Sequence, residues 1–316
     1  IKNGFNIDQY FSFSNNNVPG SVPASSIVVG VGDDAAWLKL GSEHLLVATD
    51  TLVSAVHFPA DASPGDIASR ALNVNLSDFA AMGAVPQWLT LALTLPHNDE
   101  QWLSKFSASL ARGCAKYGVS LVGGDTTRGP LTVTFTVMGV PATARTSVAS
   151  DDSSSTVAYL DSAHCLCRSG AQTGDDIWVS GSLGKGAAAL QMITQNHSAL
   201  AAWPLSNRQR ENLHAAFYAP VPQLGLGKAL VGVASAAIDV SDGLLADAGH
   251  LASQSKVMLE LNGDALPMHP ALASLSDVAL AREWMLSGGD DYELLFTVPK
   301  KDHDKVVMLA KTAGVV

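Results

Sequence analysis

The chain has 316 residues, of which 47% are hydrophobic and 15% are charged, a composition that indicates a folded globular protein and excludes a disordered one. Its length is sufficient for two domains. The formal net charge of −10 argues against a protein that binds nucleic acid, which would normally be basic, and suits an enzyme that acts on small molecules.

A polar lead-in over residues 1–26 precedes alternating strand and helix patterns that extend to residue 141. After a short apolar run that ends in a Gly-Asp turn, β-branched and apolar runs predict strands in three segments: HLLVATDTLV, QWLTLALTLP and VSLVGGDTTRGPLTVTFTVMGV, the last as two strands joined by a Gly-rich turn. Apolar residues at helical spacing predict one helix in DIASRALNVNLSDFAAMGA, ended by Gly83, and another over residues 99–117.

The second half of the chain shows a similar mixture after a Ser-rich interruption. Residues 142–166 contain the low-complexity stretch Ser147–Thr156, which indicates a surface insertion. A strand, a turn and a helix are then predicted in GDDIWVSGSLGKGAAALQMI and again in ASAAIDVSDGLLADAGHLASQS. A loop that leads into a strand is predicted in WMLSGGDDYELLFTVP. We therefore predict an α+β fold of two mixed domains, residues 27–141 and 167–316.

Neither a membrane span nor a disulfide framework is expected. The longest uncharged run, residues 79–98, matches a membrane span in length, but Pro86 and Pro96 break it. The chain has three cysteines, Cys114, Cys165 and Cys167, and the last two form a C-x-C pair. An odd number argues against a disulfide framework, and no further Cys or His completes a zinc site. These features predict a reducing, cytoplasmic compartment.

The acidic residues are strongly biased, with 23 Asp against 6 Glu. Several predicted strands end in Asp or in a Gly-Asp turn: Asp33-Asp34, Asp50, Asp125, Asp239 with Asp242, and Asp290-Asp291. Taken singly, each is more simply a turn or capping residue. Asp78 differs because it lies in the middle of a predicted helix, where Asp has poor propensity. Their repetition predicts a carboxylate cluster around Mg²⁺, which proteins typically share between carboxylates and substrate phosphates.

The usual nucleotide-binding motifs are missing. GSLGKGAA has a lysine in a Gly-rich turn without Walker A spacing, and GVGDD lacks the third glycine of the dinucleotide fingerprint. Any ATP would therefore be held by metals and aspartates. Arg128 and Arg168, beside glycine turns, are candidates to pair with phosphate oxygens, although either could be an ordinary partner of Asp. His57 is a structural histidine or, because it follows Asp50 closely, a binding residue.

Eight segments occur in this order from about Val28 to Pro299: GVGDDAAWL, ATDTLVSAVHFP, ALNVNLSDFAAMGA, WLTLALTLP, LVGGDTTRG, RSGAQTGDDIWVSGSLG, IDVSDGLLAD and LSGGDDYELLFTVP. Together they resemble the thiamine-monophosphate kinase family, a relative of aminoimidazole ribonucleotide synthetase and selenophosphate synthetase. The resemblance implies that ATP phosphorylates thiamine monophosphate to thiamine diphosphate by direct in-line transfer with several Mg²⁺ ions. It also implies an α+β fold whose N-terminal domain binds metal and ATP and forms a homodimer through its sheet.

The resemblance also assigns residues. Metal positions are Asp34, Thr49, Asp50, Asp78, Asp125, Asp239 and Asp242, of which Asp50, Asp125 and Asp242 are expected to be catalytic. ATP positions are Gly124, Asp125, Arg168 and Ser241, and thiamine-phosphate positions are His57 and Asp290. Asp291 and Glu293 are expected to be structural and to hold their turn.

Three departures from the family pattern bear on these assignments. Ser107 stands where many members have a Tyr near the adenine. The Ser-rich insertion lengthens the segment before Arg168 and could displace it. The family's C-terminal strands would lie beyond Val316, so the C-terminal domain is expected to be truncated.

Three other functions remain open. A related ATP-dependent enzyme of the superfamily could act on another acceptor, although the lack of an N-terminal cysteine disfavours selenophosphate synthetase. A metal-dependent phosphohydrolase would use the same aspartates with water as acceptor. A regulator that binds nucleotide or thiamine phosphate without turnover would need fewer carboxylates.

Overall fold

The computed structural model describes residues 26–143, 163–194 and 203–315. The predicted lead-in up to residue 25 and the Ser-rich stretch Ser147–Thr156 lie outside the described residues.

A mixed sheet forms the N-terminal unit, and within the described residues it has seven strands. The strands are β1 (Ile27–Val29), β2 (Ala36–Leu40), β3 (Glu43–Val53), β4 (Ala84–Leu95), β5 (Ser120–Arg128), β6 (Thr132–Thr143) and β7 (Ala163–His164). Their order is β1-β2-β3-β6-β4-β5, with β7 paired to β6. Among these described strands, β4 and β5 pair in parallel and the other pairs are antiparallel. This arrangement makes β5 an edge strand.

Two helices pack with this sheet, α1 (Pro64–Ala81) and α2 (Glu100–Tyr117). Ser63 caps α1 by accepting a hydrogen bond from the Asp66 N–H, and Pro64 occupies the first turn, where its missing donor costs nothing. The helix ends at Met82 and Gly83, whose φ of +62° suits glycine. The predicted helix and its end at Gly83 are thus confirmed.

The C-terminal unit contains a three-stranded antiparallel sheet in the order β8-β10-β9, counted over the described ranges. Its strands are β8 (Asp176–Val179), β9 (Ala236–Asp239) and β10 (Leu294–Val298). Its helices are α3 (Lys185–Thr194), α4 (Asn207–Tyr218), α5 (Leu224–Leu230), α6 (Leu244–Ser255), α7 (Val278–Ser287) and α8 (His303–Ala313). The observed elements confirm the predicted α+β class.

Helix α1 is shared by both units. On one side it packs against α2, β3, β4 and β6, and on the other against α4, α5 and β9. Its apolar residues therefore divide between two cores: Phe79 packs with the N-terminal sheet, whereas Ala80 and Ala81 pack with Leu226, Leu230 and Phe296. Side chains on α1 can consequently meet groups from either unit.

One prediction about the strands is wrong. Asp50 lies inside β3, and Asp125 lies inside β5, rather than at a strand end or in a Gly-rich turn. The two glycines of this segment lie within β5 and do not form a turn. Gly124 has a φ of +151°, which glycine adopts readily, and a Cβ at this position would lie 2.0 Å from the Leu91 carbonyl oxygen. The turn before β6 comes later, at Gly129 and Pro130.

The contact between α1 and α5 depends on a glycine, and it gives a test of the fold. A Cβ at Gly227 would lie 2.0 Å from the Ala80 carbonyl oxygen, whereas a Cβ at Gly225 meets nothing within 4 Å. We expect Gly227→Ala to lower the free energy of unfolding by about 1–3 kcal/mol through overpacking. Gly225→Ala should be neutral or stabilise by up to about 1 kcal/mol. Urea unfolding measures both, and equal effects would contradict this packing.

Candidate active site

Three carboxylates from separate parts of the chain converge between the two units. Asp34 lies between β1 and β2, Asp78 lies in α1, and Asp239 ends β9. One oxygen of each lies within 4.8 Å of the others. The Asp34 side chain is 1% exposed, and Asp239 is buried. The structure therefore brings together three of the aspartates that were expected to converge.

The cluster is electrostatically strained. Burial, followed by the neighbouring carboxylates, holds the pKa of Asp34 and Asp78 well above the usual value, although Arg168 opposes the rise. Burial also raises the pKa of Asp239. Burial and the Asp239 carboxylate raise the pKa of Asp50 to about 6. The ionised forms of these carboxyls are therefore disfavoured unless further positive charge lies beside them.

The cluster has the donor set for a hard divalent cation. Its ligands are all carboxylate oxygens, which Mg²⁺ prefers. Asp34 Oδ2 is buried and accepts no hydrogen bond from the described residues, although its partner Oδ1 receives the Arg168 guanidinium at 2.6 Å. A buried carboxylate oxygen without a partner is costly unless a cation or donor compensates it. The residues present thus fit a bound Mg²⁺.

Two polar side chains of α1, Ser77 and Asn75, form hydrogen bonds with Asp239 and Asp50 beside the cluster. Ser77 donates to Asp239 Oδ2 at 2.6 Å, which joins the two units beside the cluster. Asn75 Oδ1 accepts the Asp50 N–H at 3.0 Å, and the Asn75 amide in turn donates to the Ala71 carbonyl one turn earlier. Both side chains are fully buried in α1. Their place in the core is explained by these bonds, because buried polar groups require partners.

A cavity of about 480 Å³ opens beside the cluster. Its lining includes an acidic and polar set, here called the anionic wall: Asp50, Asp78, Asp239, Ser241 and Asp242. It also includes an aromatic and charged set: His57, Phe58, Arg70, Phe217, Asp290 and Tyr292. The cavity thus combines an anionic wall suited to cations with a mixed aromatic and charged wall suited to an organic ligand.

Nine of the predicted site residues come together here. Seven line the cavity: Asp50, His57, Asp78, Asp239, Ser241, Asp242 and Asp290. Asp34 and Arg168 lie beside it in the carboxylate cluster.

Three predicted site residues lie elsewhere. Thr49 turns its exposed side chain away from Asp50, as alternation along a strand requires, and shares a hydrogen bond with the Thr136 hydroxyl at 3.0 Å. Gly124 and Asp125 are exposed on β5, which two strands separate from β3. Their assigned roles in metal or ATP binding stay predictions.

Sequence reasoning missed Arg70 and Asp247. Arg70 occupies the apolar stripe of α1 between Ile67 and Val74, and a charged residue on that stripe was the available signal. Asp247 lies in the first turn of α6, where acidic residues are common. Its Oδ2 accepts three successive N–H groups, from Ser241 to Gly243, at 3.0–3.1 Å and fixes the turn after β9.

The two acids that were expected to be structural are indeed buried away from the cavity. Asp291 accepts the N–H groups of Gly184 and Gly186 at 2.7 and 2.9 Å, and burial raises its pKa to about 6. Glu293 accepts from the Ser180 hydroxyl at 2.5 Å and also binds Lys185. These contacts confirm the structural roles. They also explain why the GSLGKGAA turn is no phosphate loop, because a carboxylate already occupies its N–H groups.

The chain is similar to known proteins over most of its length. A family model described as AIR synthase related protein, N-terminal domain, matches residues 32–141. The thiamine-monophosphate kinase of Haemophilus influenzae is 39% identical over 291 residues, which cover 92% of this chain and 81% of that protein. The chain belongs to the thiamine-monophosphate kinase family. It is accordingly a phosphotransferase.

Solved structures of the thiamine-monophosphate kinase family share the fold. The thiamine-monophosphate kinase of Stenotrophomonas maltophilia superposes with a TM-score of 0.75 at 41% identity, covering 93% of this chain and 87% of that one. AaThiL, solved in complex with AMPPCP and TMP, gives a TM-score of 0.72 at 29% identity over 86% of this chain and 80% of that one. Among the described residues, no helix is both long and apolar enough to cross a membrane.

The raised carboxyl pKa values predict how stability depends on pH and Mg²⁺. A carboxyl whose folded pKa is raised keeps its proton after the unfolded chain has lost its own, so its contribution to stability falls as pH rises from about 4 through the folded pKa. We expect the melting temperature in EDTA to fall between pH 5 and pH 8. Added Mg²⁺ should raise it more at pH 8 than at pH 5, measured by thermal unfolding.

A variant of the cluster separates this effect from general titration. Asp78→Asn removes one charge, so it should melt higher than the parent at pH 8 in EDTA and respond less to Mg²⁺. The surface variant Asp264→Asn should behave as the parent does, because Asp264 is exposed. An equal Mg²⁺ response in the parent and Asp78→Asn would contradict the cation site.

Proposed function

We propose that this chain transfers the γ-phosphoryl group of ATP to thiamine monophosphate, giving ADP and thiamine diphosphate. The observation that carries the proposal is one cavity in which a buried carboxylate cluster faces an aromatic and charged wall. The family supports the choice of substrates, since AaThiL was solved with AMPPCP and TMP. A phosphate oxygen of thiamine monophosphate attacks the γ-phosphorus, the bond to the β-bridging oxygen breaks, and ADP leaves.

Cations are required because both substrates and the cavity wall are negatively charged. We propose that Asp34, Asp50, Asp78, Asp239 and Asp242 hold several Mg²⁺ ions. When bound, Mg²⁺ neutralises charge on the phosphates and on these carboxylates. The chain's own contribution is to hold the carboxylates on rigid elements, with Asp78 fixed in α1 and Asp239 fixed by Ser77.

Arg168 and Ser241 are proposed to contact ATP. Arg168 Nε is buried and has no acceptor among the described residues, although the same guanidinium binds Asp34 through Nη2. A buried donor without an acceptor is available to a phosphate oxygen. Ser241 lines the cavity two residues after Asp239. Arg168 lies against Asp34 of the carboxylate cluster and Ser241 lines the adjoining cavity, where we place the nucleotide phosphates.

His57 and Asp290 are proposed to hold thiamine monophosphate on the aromatic and charged wall. Asp290 Oδ1 is engaged by Arg70 and by the Tyr292 hydroxyl, so Oδ2 is the oxygen left for a ligand. A carboxylate there suits the cationic thiazolium of thiamine. An in-line transfer would then run between the two walls of the cavity, with ATP on the acidic side.

A homodimer is also proposed, with β5 as part of the contact. All nine residues of this edge strand are exposed, including Leu121 at 50% and Val122 at 55%. An exposed edge strand with apolar side chains is a surface for pairing, which proteins otherwise protect. A second copy of the chain at this edge would cover the strand that carries Gly124 and Asp125, for which we retain the proposed roles in ATP and metal binding.

The function is tested by measuring ADP release with Mg²⁺, ATP and thiamine monophosphate. ADP formed only in the presence of thiamine monophosphate supports the kinase, whereas phosphate released without it indicates a phosphohydrolase. We expect Asp50→Asn to lower turnover at least about 100-fold, because it removes a charge that faces metal and phosphate. Asp125→Asn should do the same if β5 contributes to the site. Asp264→Asn is the surface control, and near-parental rates in Asp50→Asn would refute the assignment.

The dimer is tested by light scattering after size exclusion. The parent should have twice the mass of one chain, and Val122→Lys should shift it toward the monomer, because a charged side chain would be buried at the contact. Val221→Lys is a matched control, since Val221 is equally exposed at 59% but lies in the loop between α4 and α5. A monomeric parent, or a dimer insensitive to Val122→Lys, would exclude β5 as the contact.

A further inference from the structure

We propose that Arg70 is the positioning residue of the acceptor wall, holding both His57 and Asp290 in place and thereby setting the affinity for thiamine monophosphate. The inference rests on the proposed function, because it assigns the acceptor to that wall. Arg70 belongs to neither the predicted metal positions nor the predicted substrate positions. It lies in α1, the helix shared by the two units.

One guanidinium joins three segments that are distant in sequence. Arg70 Nε donates to the His57 carbonyl at 3.1 Å, and Nη1 donates to the Phe217 carbonyl at 2.7 Å. Its Nη2 donates to Asp290 Oδ1 at 2.6 Å. The three acceptors come from the loop after β3, the end of α4 and the loop before β10. Both proposed substrate residues are thus tied to the same side chain.

The site is built for a guanidinium in particular. The Arg70 side chain is 4% exposed, and its guanidinium carbon lies 3.9 Å from the centroid of the Phe217 ring. A planar fork can serve three acceptors in different directions while stacking on a ring, whereas the single ammonium of lysine cannot. Loss of this fork would leave the Asp290 carboxylate without its charged partner.

Asp290 needs such support because its backbone is held in an unfavourable region. Asp290 has a φ of +70° and Tyr292 a φ of +49°, values that non-glycine residues rarely adopt. The backbone is fixed by N–H bonds of 2.8 Å to the carbonyls of Ser241 and Val240. These bonds fix the loop, but they leave the Asp290 side chain free to rotate. Arg70, assisted by the Tyr292 hydroxyl at 3.0 Å, fixes that side chain through Oδ1, and Asp290 lines the cavity.

Steady-state kinetics of Arg70→Lys test the proposal. We expect KM for thiamine monophosphate to rise at least about 10-fold, while KM for ATP stays within about 2-fold, because the carboxylate wall is untouched. Arg282→Lys is the matched control, since Arg282 forms only an exposed ion pair with Asp264. A general loss of structure would change both KM values, so the ratio of the two separates positioning from stability.

A double-mutant cycle with Asp290→Asn adds a second criterion. The cycle compares Arg70→Gln, Asp290→Asn and the double variant. If Arg70 acts through Asp290, the rise in KM for thiamine monophosphate in the double variant should be clearly smaller than the product of the two single rises. Multiplicative effects, an unchanged KM in Arg70→Lys, or equal rises in both KM values would overturn the proposal.

A milder variant covers the case in which Arg70 variants do not fold. Tyr292→Phe removes the second donor to Asp290 Oδ1 and keeps the ion pair, so KM for thiamine monophosphate should rise about 2- to 5-fold with KM for ATP unchanged. No change in this variant would overturn the view that fixing Oδ1 sets affinity. Failure of the proposed function is distinct, since the parent itself would then form no ADP with thiamine monophosphate.

Discussion

The mutual repulsion of buried carboxylates is the constraint on which the rest of this structure depends. Asp34, Asp78 and Asp239 come within 4.8 Å of one another although burial disfavours the charge of each. On flexible segments these carboxylates would move apart. They are kept together because a loop, a helix and a strand end present them from three directions. The fold therefore keeps together an unfavourable arrangement that a bound cation would relieve, so we expect stability and cation binding to be linked.

Helix α1 is the element that makes this arrangement possible. Arg70, Val74 and Asp78 follow at intervals of four residues and so lie on one face of the helix. At a rise of about 1.5 Å per residue, the Cα atoms of Arg70 and Asp78 are about 12 Å apart. One rigid helix thus sets the distance between the acceptor wall and the carboxylate cluster. Because its other side is buried against the N-terminal sheet, this spacing does not change with movements of the loops.

The sequence predicted the α+β fold and most of the residues that line the candidate site, but it did not predict where two aspartates lie in their strands or the part played by Arg70. Asp78 was recognised because a carboxylate in mid-helix contradicts local propensity, and the structure places it in the cluster. The positions of Asp50 and Asp125 were misread, because β3 and β5 continue through the aspartates that seemed to end them. Arg70 was missed because its charge on an apolar stripe does not identify its partner Asp290, which lies 220 residues away.

The neighbouring residues Asp290 and Asp291 show how one short motif serves two purposes. The positive φ of Asp290 turns the chain so that the two side chains diverge. Asp290 faces the cavity and Arg70, whereas Asp291 is buried beneath the first turn of α3 and accepts two backbone N–H groups there. The buried acid anchors the loop, and the anchored loop can then hold its neighbour in a strained conformation. Two identical residue types thus take different roles because their surroundings differ, which the motif GGDDYE alone does not reveal.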